Sequence, residues 1–200
     1  LCLIYLSDGG ADATYVREFS LKRKSFLDTD EHPFCLPEGK SRVSYQSRDC
    51  LLVGTNNGPD SLTSSRYPRL VQEWKRGSSL ENARTICEAS SDDISASGRR
   101  YFDRGFWYEV HTKQKSFFAA QHFLSILKDQ KDENPLFQEV PLPEDVEIST
   151  FADQLLMELR HSWRPPGEVE EFPAGSLLSS PLSPLRPPQY LPSPPLPQPL

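Results

Sequence analysis

The chain contains no G-x-S-x-G elbow, no HExxH helix motif, no CxxC pair and no glycine-rich phosphate loop. The missing elbow removes the strand-to-helix turn that presents the serine of α/β-hydrolase peptidases. Gly9-Gly10 leads into Ala-Asp, and Gly175-Ser176 into Leu-Leu. Without HExxH or paired Cys/His spacing there is no zinc-site pattern, and no metal or cofactor is expected. No apolar run approaches the ~20 residues of a membrane span. Residues 1–7 are apolar but short, and lack the basic flank and cleavage site of a signal peptide. The expectation is a protein away from membranes, in the cytoplasm. Basic residues are outnumbered, 22 against 28 acidic, for a net charge of −6, and they form no stripe. That excludes a general binder of nucleic-acid backbones. Methionine is nearly absent. The chain opens on Leu1 and its one methionine is Met157, so it is expected to be incomplete at its N-terminus.

The titratable residues that are present make no catalytic constellation in sequence. The histidines are His32, His111, His122 and His161. None stands near a candidate elbow serine, and each reads as surface or structural. Asp92-Asp93 and Glu170-Glu171 read as solvated turns. Cys2, Cys35, Cys50 and Cys87 read as reduced thiols of a reducing compartment, a disulfide being the alternative. Cys50 sits in the apolar run DCLLVGT, where a thiol behaves as a small hydrophobe.

Short apolar or alternating runs separated by turn residues dominate the rest. Strands are expected over residues 1–7, 15–21, 42–46, 50–55, 68–74, 84–87 and 94–97. Further strands are expected over 106–111, 123–127, 137–140 and 154–160. Residues 117–127 can be read as an amphipathic helix, but two strands fit a meander better. This spacing indicates a sandwich, barrel or propeller rather than alternating βα units. Near Ser179 the composition changes: nine of the last 20 residues are proline, with Arg186 the one charge. Residues 179–200 are expected to be disordered with polyproline II character, because proline lacks the ladder donor.

One stretch is more specific. Gly58-Pro59, Ser61-Leu62-Thr63, Tyr67-Pro68-Arg69 and Trp74-Lys75-Arg76-Gly77, with Leu80 and Ala83, resemble the propeller domain of the prolyl oligopeptidase family of serine peptidases. Residues 3–13 with Arg17-Glu18-Phe19, residues 34–55, Ser91-Asp92-Asp93-Ile94 and Ser116-Phe117-Phe118 continue the likeness. So do Gln154-Leu155-Leu156, Leu159-Arg160, Trp163 and residues 173–178, in collinear order over residues 1–178. Residues 99–111 follow the family pattern poorly.

The resemblance implies an all-β fold, a partial β-propeller over residues 1–178 with about four of seven blades. It implies a serine endopeptidase that cleaves short peptides after proline when joined to its peptidase domain. The Ser, Asp and His of that domain have no counterpart in this chain, so it is expected to be non-catalytic and to gate substrate entry. The alternatives are a protein-binding module and a truncated product without an independent role. Pro187, Pro188 and Tyr190 form a PPxY motif of the kind WW domains read, and PxxP spacings near Arg186 suit SH3 domains. Chance matches are frequent in proline-rich sequence.

Overall fold

The computed structural model describes residues 1–132 and 135–182. Among the described residues, fifteen strands form four antiparallel sheets, each from a consecutive piece of chain. The first holds β1 (Cys2–Leu6), β2 (Thr14–Ser20), β3 (Ser25–Phe26) and β4 (Cys35–Gly39), with β2 in the middle. The second runs β5 (Arg42–Ser47), β6 (Cys50–Gly54), β7 (Leu70–Lys75) and β8 (Arg84–Glu88). The third runs β9 (Ser95–Asp103), β10 (Phe106–Gln114), β11 (Ala120–Leu127) and β12 (Gln138–Glu139). The fourth has β13 (Glu147–Phe151), β14 (Gln154–Glu158) and β15 (Leu177–Pro181).

Successive up-and-down sheets that exchange no strand are propeller blades. Their faces, not their edges, meet. A strand between two such faces must be apolar on both sides, and β6 is: Leu51 and Val53 turn to the first sheet and Leu52 to the third. Three apolar clusters fill the three seams. Phe34, Leu51 and Trp74 centre the first, with Phe34 and Trp74 edge to face, ring centres 4.9 Å apart. The middle one is built from small side chains, Leu52, Val71, Ala89 and Ala96. Tyr108, Leu124, Leu155 and Met157 lead the third, which also buries Leu182. Among the described residues no strand of the first sheet pairs with one of the fourth. The fold is therefore a partial β-propeller of four blades.

Several local expectations change. Residues 117–127 hold one strand, β11, over Ala120–Leu127, rather than two. The amides of Lys115 and Ser116 both donate to the Ala119 carbonyl, so the chain reverses before Ala120. The short strand at 94–97 is the start of nine-residue β9. Residues 99–111, where the family pattern is poor, have a defined register: β9 and β10 pair from Phe106–Asp103 to Gln114–Ser95. Arg104 and Gly105 join them with φ of 45° and 97°, the positive values a tight hairpin turn needs. Strands β3, β4, β13 and β15 lie outside the expected set. Pairing also continues past Ser179, where the folded part was expected to have ended: Ser179, Ser180 and Pro181 face Leu156, Leu155 and Gln154. Pro181 is tolerated because it closes an outer strand. Pro187, Pro188 and Tyr190 lie outside the described residues.

Candidate functional site

Two buried charge centres mark the seams around the second blade. Glu18 on β2 points at the second sheet. Its carboxylate accepts from Arg76 Nη1 at 2.6 Å and Nη2 at 2.8 Å, from the Phe34 amide at 2.8 Å, and from the Tyr45 hydroxyl. Arg76 uses its remaining capacity on Asp49 Oδ1 and on the carbonyls of His32 and Arg48, and covers the Phe34 ring at 4.3 Å. Burial alone would raise the Glu18 pKa. The Arg76, Tyr45 and Phe34 donors outweigh it and hold the carboxyl below its usual range. Burial, then the neighbouring carboxylate, pushes the Tyr45 phenol up. A carboxylate with this many donors is a structural staple between blades.

The second centre lies between the second and third blades. Residues two apart on a strand share a face, so Glu109 and His111 turn to the second sheet while Tyr108 and Val110 turn to the fourth. Arg100 is directly across from Glu109. Its Nε donates to Glu109 Oε2 at 2.6 Å and its Nη1 to the Gln130 carbonyl at 2.9 Å. His111 Nε2 lies 2.9 Å from Glu109 Oε1, and its ring stacks on Phe137 at 4.2 Å. Gln46 of β5 bridges the blades, donating to Glu73 at 2.9 Å and to Glu109 at 3.4 Å. The arrangement needs a glycine opposite His111. A Cβ on Gly98 would stand 2.7 Å from Val71 Cγ1 and 3.2 Å from His111 Cδ2.

Electrostatics follow from this packing. Burial works against the charge of Glu109, yet His111 and Arg100 hold its pKa below the usual carboxylate range. Burial also works against His111, but Cys87 and Glu109 beside it leave the pKa raised. Arg100 Nη2 is the one buried side-chain polar atom among the described residues with no hydrogen-bond partner. Leaving such a donor unmatched costs about 1–3 kcal/mol. Arg100 lies in the wall of a cleft of about 830 Å³, with Gln46, Cys50, Glu73, Lys75 and Arg84.

The residues that carry the family likeness make structure. The Ser61 hydroxyl donates to the Gly58 carbonyl at 2.7 Å, Thr63 Oγ1 donates to the Ile94 carbonyl, and Trp74 Nε1 donates to the Ser78 carbonyl. No histidine ring hydrogen-bonds a serine hydroxyl among the described residues: His111 meets Glu109, His122 meets Thr112, and exposed His161 meets Asp145. Burial pushes the Cys50 thiol up to about 11, which keeps it protonated. Among the described residues no three His, Cys, Asp or Glu side chains group as metal ligands. No helix among them is long and apolar enough to cross a membrane. Reading the sequence for catalytic motifs did not single out Glu18, Arg76, Arg100 or Glu109. Arg76 lies inside the specific Trp-Lys-Arg-Gly run and Glu18 inside Arg17-Glu18-Phe19, so the family likeness touched the first centre without marking its role.

No protein-family model matches the chain. It is 32% identical over 169 residues to "Uncharacterized peptidase y4nA" of Sinorhizobium fredii, covering 82% of this chain and 22% of that protein. It is 26% identical over 185 residues to "Uncharacterized peptidase RP174" of Rickettsia prowazekii, covering 88% and 25%. Its fold matches a post-proline cleaving enzyme from Rickettsia typhi with a TM-score of 0.77 and 25% identity, over 92% of this chain and 27% of that one. A solved structure from work on two prolyl endopeptidases matches in fold alone, with a TM-score of 0.51 and 13% identity. The chain thus spans about a quarter of the length of the relatives it matches. Collinear motifs, four meander blades and these likenesses together place it in the prolyl oligopeptidase family, as a β-propeller portion.

Proposed function

We propose that these blades are a non-catalytic gating wall of a prolyl-oligopeptidase-like serine endopeptidase that cleaves short peptides after proline. The observation that carries the reading is the pairing of a peptidase likeness with two buried charge centres that are used between blades. Glu18 and Arg76 lock one seam, and Arg100, Glu109 and Gln46 bridge the next. The named relatives are peptidases, and the Rickettsia typhi match is a post-proline cleaving enzyme. The serine chemistry would come from a peptidase domain on the same polypeptide, and the substrates would be short peptides. The cytoplasm suits four cysteines that form no disulfide.

Gating predicts a size limit set by how tightly the blades hold together. In a polypeptide that joins these blades to a peptidase domain, Gly98→Ala should loosen the middle seam. Peptides above the original size limit should then be cleaved, with little change for a short post-proline reporter. An unchanged size limit in a protein whose stability has fallen would overturn the gating reading.

A further inference from the structure

The cleft between the second and third blades has an imbalance in its polar groups. Its acids already have partners. Glu73 accepts from Gln46 at 2.9 Å and from Arg84 Nε at 2.9 Å. Asp49 accepts from Arg76 Nε at 3.1 Å, and Asp132 accepts the Lys128 amide at 3.3 Å. Its cations are not matched in the same way. Lys75 and Lys131 line the cleft and make no ion pair among the described residues. Arg100, with 2% of its side chain exposed, has Nη2 without a partner while Nε and Nη1 are fixed. Lys75, Lys131 and one arm of Arg100 therefore leave cationic donors available in the cleft.

We propose that this cleft is a binding site for a small oxyanion, a carboxylate or a phosphate, held by Lys75, Lys131 and the free arm of Arg100. Lys75 at the end of β7 and Lys131 in the β11–β12 connection line the cleft from opposite blades, so an anion that engages both ties the seam. Arg100 Nη2 is shielded from solvent; with Nε and Nη1 fixed on Glu109 and Gln130, it is the arm left for the anion once the cleft wall opens to it. Guanidinium and ammonium donors to an oxyanion make short, charge-assisted bonds. The cleft is far larger than one such ion, so the anion can be the end group of a longer ligand. The proposal stands independently of the peptidase reading.

A ligand that binds the folded chain alone raises its melting temperature as concentration rises. The test is to melt the chain in inorganic phosphate, in N-acetylglycine and in the amide of N-acetylglycine, each against sodium chloride at equal ionic strength. Phosphate, N-acetylglycine or both should raise the melting temperature in a saturating way, and the uncharged amide should not. Which of the two acids acts identifies the natural end group as phosphate or carboxylate. The double variant Lys75→Gln/Lys131→Gln should melt unchanged in chloride and need at least about tenfold more anion for half the effect, the loss of one charge-assisted contact or more. Arg100→Lys should weaken the response further; if it does not fold, the double variant decides. No response beyond chloride, an equal response to the amide, or a wild-type response from the double variant overturns the proposal.

Discussion

The two seams that flank the second blade solve the same problem differently. The first is closed: large aromatic residues fill it, and every nitrogen of Arg76 and both oxygens of Glu18 have partners. The second has a core of small aliphatic residues, a buried guanidinium with one arm unmatched, a buried histidine and an open cleft. A satisfied ion pair between sheets specifies how they dock. A partly satisfied one leaves capacity for a proton or a ligand. The difference locates rigidity in the first seam and responsiveness in the second.

The largest effect should come from breaking the closed seam. Glu18→Ala removes the carboxylate from Arg76, Tyr45 and the Phe34 amide together and strands a buried cation. The loss should be about 3–5 kcal/mol by denaturant unfolding. If Glu18→Ala costs less than the middle-seam variants, the ranking of the two seams is reversed. Gly98→Ala attacks the second seam by sterics, since β-branched Val71 has no flexible end to move away. It should cost about 1–3 kcal/mol.

pH separates the seams more finely. The Glu18 and Glu109 carboxyls have folded pKa values below 4.5. Their contribution is present above the unfolded value and is lost as pH falls through the folded ones. His111 is shifted the other way, above 6.5. Its contribution is present in full below the unfolded value and is lost as pH rises through the folded one. Stability should therefore decline on both sides, and His111→Gln should flatten the upper decline alone. An upper decline that survives in His111→Gln would remove the histidine from the account. The smallest effect is the control: Phe117, 89% exposed at the β10–β11 turn, should change stability by less than about 0.5 kcal/mol on substitution by Ser.

Much of the fold was legible because its strands are short, apolar and punctuated. Residues 50–55 and 68–74 carry β-branched and aromatic residues between clear turns, and they became β6 and β7. The elements that escaped notice lacked that contrast. β3 is two residues long, β4 contains Pro37, and β15 is largely serine and proline. Residues that make a sheet by pairing to a formed neighbour leave little periodicity of their own. The charge centres were hidden for a different reason. In the run from Arg99 to His111 nothing local says that Arg100, Glu109 and His111 turn inward. That follows from register: Arg100 pairs with Glu109 and Gly98 with His111 only once the Arg104-Gly105 turn is set. The Glu18–Arg76 contact joins residues 58 apart in sequence, and only the docking of two blades brings them together.

The chain carries propeller structure of a peptidase family, and the proposal that it does no chemistry by itself is the part most exposed to test. Its most direct test is to incubate the purified chain with a chromogenic post-proline peptide, with and without a serine-directed covalent inhibitor. The account predicts no turnover above buffer in either case. Turnover that copurifies with the chain and is abolished by the inhibitor would contradict it.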